Sequence, residues 1–245
     1  MEYGLQMYSV RDITGQDLHR ALVEVGKQGY KFVEFAGFFG HSAREVKEWM
    51  KEAGVRVSGT HTGWQELTPE NLDQTIRYHQ EIGNNNIIIP GADLSTQEKL
   101  DDFIALLNDV QPKLRKAGIR LGYHNHSHEF IPTSYGKIIH EELEARTNVE
   151  FEIDTFWAFV AGKDPVALIR RLKDRISVIH LKDGFQNGQG KALGEGEAPV
   201  VDVRNEAIDQ GFAIVVESET MDPDGLSEVG RCISYLKALD LLDGK

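Results

Sequence analysis

Four apolar runs in this chain each end on side chains able to bind a metal: RLGYHNHSHE (120–129), VEFEIDTFW (149–157), ISVIHLKD (176–183) and AIVVESE (213–219). Along a strand, alternate residues share a face. That alternation groups His124 with His126 and His128, Glu152 with Asp154, His180 with Lys182, and Glu217 with Glu219. A position at the last turn of each run favours His124, Asp154, His180 and Glu217 as the ligand set. His126 competes with His124, and Glu219 with Glu217. Two imidazoles and two carboxylates suit Mn²⁺, Fe²⁺, Co²⁺ or Zn²⁺ better than Mg²⁺ or Ca²⁺. Alone, each such residue is more often a hydrogen-bonded part of a core. Together they would be costly to bury without a cation or a closed ionic network to satisfy them, and such a network is the competing reading.

A metal between the carbonyl and hydroxyl oxygens of a substrate acidifies the neighbouring C–H. Glu217 is placed to take that proton, with Glu129 or His126 across the site as its partner. Return of the proton to the same carbon is epimerisation, return to the next carbon is isomerisation, and loss of a β-substituent is elimination. His61 and Trp64, His126, Trp157 and Lys182 are candidates to contact substrate, the two indoles against the apolar face of a sugar ring. Gln6 and Tyr8 are further rim candidates, whereas Glu34 reads as an internal hydrogen-bonded residue. His19, His79 and His140 stand among charged helical neighbours and read as solvated. Lys182 and Asp183 are expected to pair with each other.

Residues this far apart meet only if the chain delivers each on its own strand end. The hydrophobic period switches between short strand-like runs and longer helical ones. Strands are expected at residues 3–10, 31–37, 55–61, 86–91, 119–126, 149–154, 176–183 and 212–219, with helical stretches at 15–29, 42–54, 68–83 and 95–118. Gly29, Gly54, Gly83, Gly118 and Gly211 read as helix ends, and Thr68-Pro69 and Ser95 with Glu98 as helix starts. Eight βα units in 245 residues predict one (β/α)8 TIM barrel spanning residues 1–245, whose site gathers at the carboxyl-terminal rim. A doubly wound sheet is less favoured, because no G-x-G-x-x-G opens the first helix. The glycine-rich stretch 184–199 lacks a P-loop ending and reads as a mobile loop over the barrel mouth, or as a lid.

The 27 Lys and Arg against 39 Asp and Glu give a net charge of −12, which opposes a nucleic-acid partner. The single cysteine, Cys232, sits at helical spacing among apolar residues and reads as core. It excludes a disulfide framework and favours a reducing compartment. No run of ~18 apolar residues occurs, so a cytoplasmic protein with no membrane partner is expected, with a homo-oligomer as an open option.

The chain resembles the sugar phosphate isomerase/epimerase group of xylose isomerase-like barrels along essentially its whole length. The resemblance is carried by GLQMYSVRD, GYKFVEFAGFFG and SGTHTG, and most specifically by YHNHSHEF, EIDTFW, VIHLKD and VVESE. It implies one divalent metal, often Mn²⁺, held at successive strand ends, with Asp154, His180 and Glu217 in three of the four positions. His124 stands where the epimerases of the group carry a carboxylate that is both ligand and acid/base. Glu217, His124 and, from the reading of the residues themselves, Glu129 form the expected catalytic set. Trp157 stands where ketose epimerases place a substrate-binding histidine, and YHNH is closer to the dehydratase branch. The resemblance implies a small-molecule sugar or keto-sugar as substrate, and since no cluster of basic residues at a strand tip marks a phosphate, the expected sugar is not phosphorylated.

Overall fold

The computed structural model describes residues 1–244. Strands β1 (Gly4–Gln6), β2 (Phe32–Phe35), β3 (Arg56–His61), β4 (Asn86–Ile89), β5 (Arg120–His124), β6 (Glu150–Asp154), β7 (Ile176–Leu181), β8 (Asp183–Gly184), β9 (Gly190–Lys191) and β10 (Ile214–Val216) follow in chain order. All but β8 and β9 pair in parallel as a closed barrel, with β10 between β7 and β1. The remaining two form a small antiparallel hairpin after β7. The α-helices are α1 (Arg11–Thr14), α2 (Leu18–Gln28), α3 (Ala43–Ala53), α4 (Leu72–Ile82), α5 (Gln97–Lys116), α6 (Ile139–Arg146), α7 (Thr155–Val160), α8 (Pro165–Leu172), α9 (Val200–Gln210) and α10 (Gly225–Asp243). None of the described helices is long and apolar enough to cross a membrane.

The expected barrel is therefore present, and period-two alternation explains how it divides its core. A large apolar cluster fills the space between sheet and helices. A separate one, Phe32, Ile88, Val178 and Val215, plugs the barrel interior. Two residues further along three of those strands the same inward face carries Glu34, His180 and Glu217, so the plug is the floor on which the polar site stands. Glycine makes room for it. A Cβ at Gly59 would lie 2.8 Å from Ile88 Cδ1 and 2.9 Å from Glu34 Oε2, so any larger residue at that point would push into both floor and site.

Helix ends follow the capping chemistry, with adjustments of a few residues. Gly29, Gly54, Gly83 and Gly211 close α2, α3, α4 and α9 in the left-handed conformation. Gly118 lies one residue past the Ala117 cap. Thr96, rather than Ser95, caps α5 by accepting the Lys99 N–H at 3.3 Å. Thr68 and Pro69 form a turn before α4, which begins at Leu72; the Asn71 and Leu72 amides both donate to the Thr68 carbonyl. The first strand stops at Gln6, whose side chain accepts from Tyr8 N and turns the chain into a 3₁₀ segment over Met7–Val10.

Two histidines expected in solvent are buried. His79 is 3 % exposed, with Nε2 2.9 Å from Thr60 Oγ1 and Nδ1 2.7 Å from the Thr75 carbonyl. His140 is 1 % exposed and stacks between Phe130 and Phe151, with ring centroids 4.6 and 4.5 Å away. His19, by contrast, is part-exposed and pairs with Glu52. Cys232 is buried in the core as expected.

Candidate metal centre

Register brings the strand ends level. His124 pairs with Glu152 across β5 and β6, and Asp154 with His180 across β6 and β7. Glu217 follows β10 and donates its amide to the Leu181 carbonyl. His124, Asp154, His180 and Glu217 are all buried, and each offers a ligand atom within 4.8 Å of the other three. A second grouping, His61, His124, Glu152 and His180, meets the same criterion and shares both histidines.

Distances separate the two groupings. Ligands bonded to one tetrahedral cation at ~2.1 Å stand about 3.4 Å apart. In the second grouping His61 Nε2 is 2.6 Å and His124 Nδ1 2.9 Å from the same Glu152 Oε2, which are hydrogen-bond lengths. In the first, His180 Nδ1 stands 3.5 Å from Glu217 Oε2. His180 Nδ1 and Asp154 Oδ2 are buried without a hydrogen-bond partner. Buried polar atoms are rarely left so. The rival grouping has one such atom, Glu152 Oε1; the first has two, and one of them stands 3.5 Å from Glu217 Oε2, which fits a divalent metal held by His124, Asp154, His180 and Glu217.

Each of these side chains is locally fixed. Asp154 caps α7, accepting the Trp157 N–H on Oδ1 at 2.8 Å, and this leaves Oδ2 free. Asn125 locks the same strand end by donating to the Asp154 carbonyl and accepting its amide, at 3.0 and 3.1 Å. Deeper in the barrel, Gln6 Nε2 donates to Glu34 Oε1 at 2.6 Å, and His180 Nε2 lies 2.8 Å from that oxygen. Glu34 thus has the internal role its sequence context suggests.

Burial and crowding of carboxylates set the charges. Burial, with Glu152 beside it, pushes Glu34 up to about 7. Burial, with Glu217 beside it, pushes Asp154 up to about 7. Burial acts the same way on Glu152, but His180, His61 and His124 outweigh it and hold Glu152 well below the usual carboxylate range. Burial likewise opposes ionisation of Glu217, and Lys182 with His180 outweighs it. Burial pushes His124 down to about 4, so its imidazole is neutral and keeps a lone pair for a metal.

A cavity of about 440 Å³ opens above the cluster, lined by Tyr8, His61, Pro90, His124, His126, Glu217 and Glu219 among others. His61, His126 and Tyr8 thus face the space a substrate would take. Lys182 contacts Glu219, stands 3.6 Å from Glu217 Oε2 and lies 4.8 Å from the Trp157 ring. It does not pair with Asp183. The Asp183 carboxylate instead accepts the amides of Gly184, Gly194, Gly196 and Ala198. These bonds fasten the glycine-rich stretch down, so the reading of it as a mobile loop or lid gives way to an anchored one. Trp157 packs near His126, with ring centroids 6.0 Å apart.

Two predicted residues lie apart from the cluster. Trp64 lines a different cavity, of about 410 Å³, with Leu94, Phe103 and Leu106. Glu129 is buried with its oxygens already used: Oε1 accepts from Tyr123 OH at 3.0 Å and pairs with His128, and Oε2 accepts the His126 amide at 2.8 Å. It braces the turn after β5 and is not among the residues lining the cavity. His128 is largely exposed.

The xylose isomerase-like TIM barrel family matches residues 22–239. The chain belongs to that family. Its fold is similar to that of a sugar phosphate isomerase/epimerase from Parabacteroides distasonis, at 25% identity and a TM-score of 0.79 over 97% of this chain and 93% of that one. It is also similar to an L-ribulose 3-epimerase (15% identity, TM-score 0.73, 97% and 94% covered). A probable 3-DHS dehydratase from Bacillus anthracis aligns at 13% identity and a TM-score of 0.77 over 97% and 99%. The last two likenesses concern the fold alone. No curated protein matches the chain.

Sequence reasoning did not single out Glu152 as part of the site. Its signal was present, because FEID places it two residues before Asp154 on one face. Without the barrel's closure nothing showed that it meets His61 and His124.

Proposed function

We propose that this protein is a divalent-metal-dependent enzyme acting on a sugar or keto-sugar by removing a proton next to a carbonyl. The observation that carries the reading is the pair of unpartnered buried atoms, Asp154 Oδ2 and His180 Nδ1, beside His124 and Glu217 under an open cavity. His124, Asp154, His180 and Glu217 would hold the cation, with Mn²⁺ first among Mn²⁺, Fe²⁺, Co²⁺ and Zn²⁺ given two nitrogen and two oxygen donors. When bound, it supplies the positive charge that stabilises an enediolate.

The chain's own groups do the rest. Glu217 lines the cavity and is kept ionised by Lys182 and His180, so its carboxylate accepts the proton. His61 and His126 line the same cavity and are the imidazoles placed to return a proton from another side. The Lys182 ammonium, near both Glu217 and the Trp157 face, orients the substrate's hydroxyls.

One feature favours elimination as the second reading. With an imidazole at position 124, Glu129 bonded into the turn after β5 and Glu219 held by Lys182, Glu217 is the carboxylate left to act as base. Loss of a β-substituent uses that one carboxylate as base while His61 or His126 protonates the departing oxygen, whereas epimerisation by a carboxylate pair needs a second carboxylate on the opposite face. The test is incubation of Mn²⁺-loaded protein with a panel of keto-sugars and 3-keto-glycosides in heavy water, read by proton NMR. Deuterium at the carbon beside the carbonyl, abolished in Glu217→Gln, supports the reading. An epimer or isomer formed without deuterium, or turnover at the wild-type rate in metal-loaded Glu217→Gln, rejects the proton-abstraction step.

A further inference from the structure

We propose that Glu152 is the positioning residue of the metal centre: its single carboxylate sets the ring orientation and tautomer of His124, ties His61 to the same oxygen, and stands in ionic contact with His180, whose own hydrogen bond goes to Glu34. The inference rests on the metal reading above and is tested separately from it.

Glu152 is fully buried. Its Oε2 lies 2.6 Å from His61 Nε2 and 2.9 Å from His124 Nδ1, and its Oε1 lies 3.1 Å from His180 Nε2. An ionised carboxylate can only accept, so His61 Nε2 and His124 Nδ1 are the donors. Each imidazole then has its other nitrogen to spare. For His124 that is Nε2. For His180, whose Nε2 faces Glu34 and Glu152, it is the unpartnered Nδ1. The two spare nitrogens are the ones available at the level of Asp154 and Glu217. Asp154 lies two residues beyond Glu152 on the same strand face, about 6.6 Å further along. The short separations at Glu152 Oε2 leave no room there for a cation at ordinary bond length. A metal-binding histidine whose far N–H is held by a carboxylate loses freedom to turn and gains basicity, and removal of that partner weakens metal binding about 10- to 100-fold.

The test uses chelator-stripped protein titrated with Co²⁺, followed by visible absorption and by competition with a chelator, alongside thermal melts of the metal-free forms. Glu152→Gln keeps the volume but removes the negative charge to which the His61 and His124 N–H groups donate, and sets an amide NH₂ against His180 Nε2. The expected result is a Kd for Co²⁺ raised about 10- to 100-fold with the band positions retained, because the four ligands are unchanged. Wild-type affinity in folded Glu152→Gln overturns the proposal. So does loss of the band with the fold intact, which would make Glu152 itself a ligand. Should Glu152→Gln fail to fold, Glu152→Asp, which keeps the charge but shortens the reach, takes its place; weakened binding supports the proposal and wild-type affinity overturns it. A wild type that binds no Co²⁺ refutes the metal reading and this proposal together.

Discussion

His140 gives this fold an acid limb that can be removed by one substitution. It is sealed between Phe130 and Phe151, with Nε2 unpartnered and Nδ1 4.0 Å from Glu144. Burial pushes its pKa down from 6.5 to about 4. A histidine with a depressed folded pKa contributes stability that is fully present above its unfolded value. That contribution is lost as pH falls toward the folded value, because the unfolded chain binds the proton first. The shift corresponds to about 3 kcal/mol overall, of which about 2 kcal/mol is lost between pH 7.5 and pH 5. His140→Phe keeps an aromatic ring in the stack and removes the titration. Urea unfolding of the chelator-treated wild type and variant across that pH range isolates the term, since every other group cancels in the difference. The variant is expected to gain on the wild type by about 2 kcal/mol on going to pH 5. Parallel pH dependences would refute the reasoning.

Two other perturbations follow from the packing. Asp183→Asn removes one acceptor from a carboxylate that receives four backbone amides, and is expected to cost about 2–3 kcal/mol and to admit protease within residues 184–198; an unchanged digest and melt would contradict the anchoring role. The Cys232 thiol, pushed up to about 12 chiefly by burial, should resist a thiol reagent at pH 8 in the native protein and react fully in denaturant, and rapid native labelling would show that the core opens there.

How far the chain alone revealed this arrangement depends on which physical signal each residue carries. Alternation within VEFEID, ISVIHLKD and AIVVESE was enough to place Asp154, His180 and Glu217 at one rim, because a strand's period leaves no choice of face once the floor is apolar. YHNHSHE was harder. The strand ends at His124 and a 3₁₀ turn begins at His128, so the period breaks and throws His128 into solvent and Glu129 back under the turn. His79 and His140 were misjudged from their charged neighbours. The apolar phase was the better guide, since His79 lies three residues before Ile82 and His140 three before Leu143 on buried stripes. Trp64 shows the limit of arguing from a loop's position after a strand, as the loop carries it outward onto Leu94 and Phe103. Glu152 and its three histidines come from four strands, and only closure of the barrel brings them together.

The central claim is a divalent cation held by His124, Asp154, His180 and Glu217. Elemental analysis of the purified protein, after loading with Mn²⁺ and removal of excess, tests it most directly beside Asp154→Asn and His180→Ala, whose folding is checked by circular dichroism. The account predicts one metal per chain in the wild type and loss of it in both folded variants. A metal-free wild type, or stoichiometric metal retained in both variants, would contradict it.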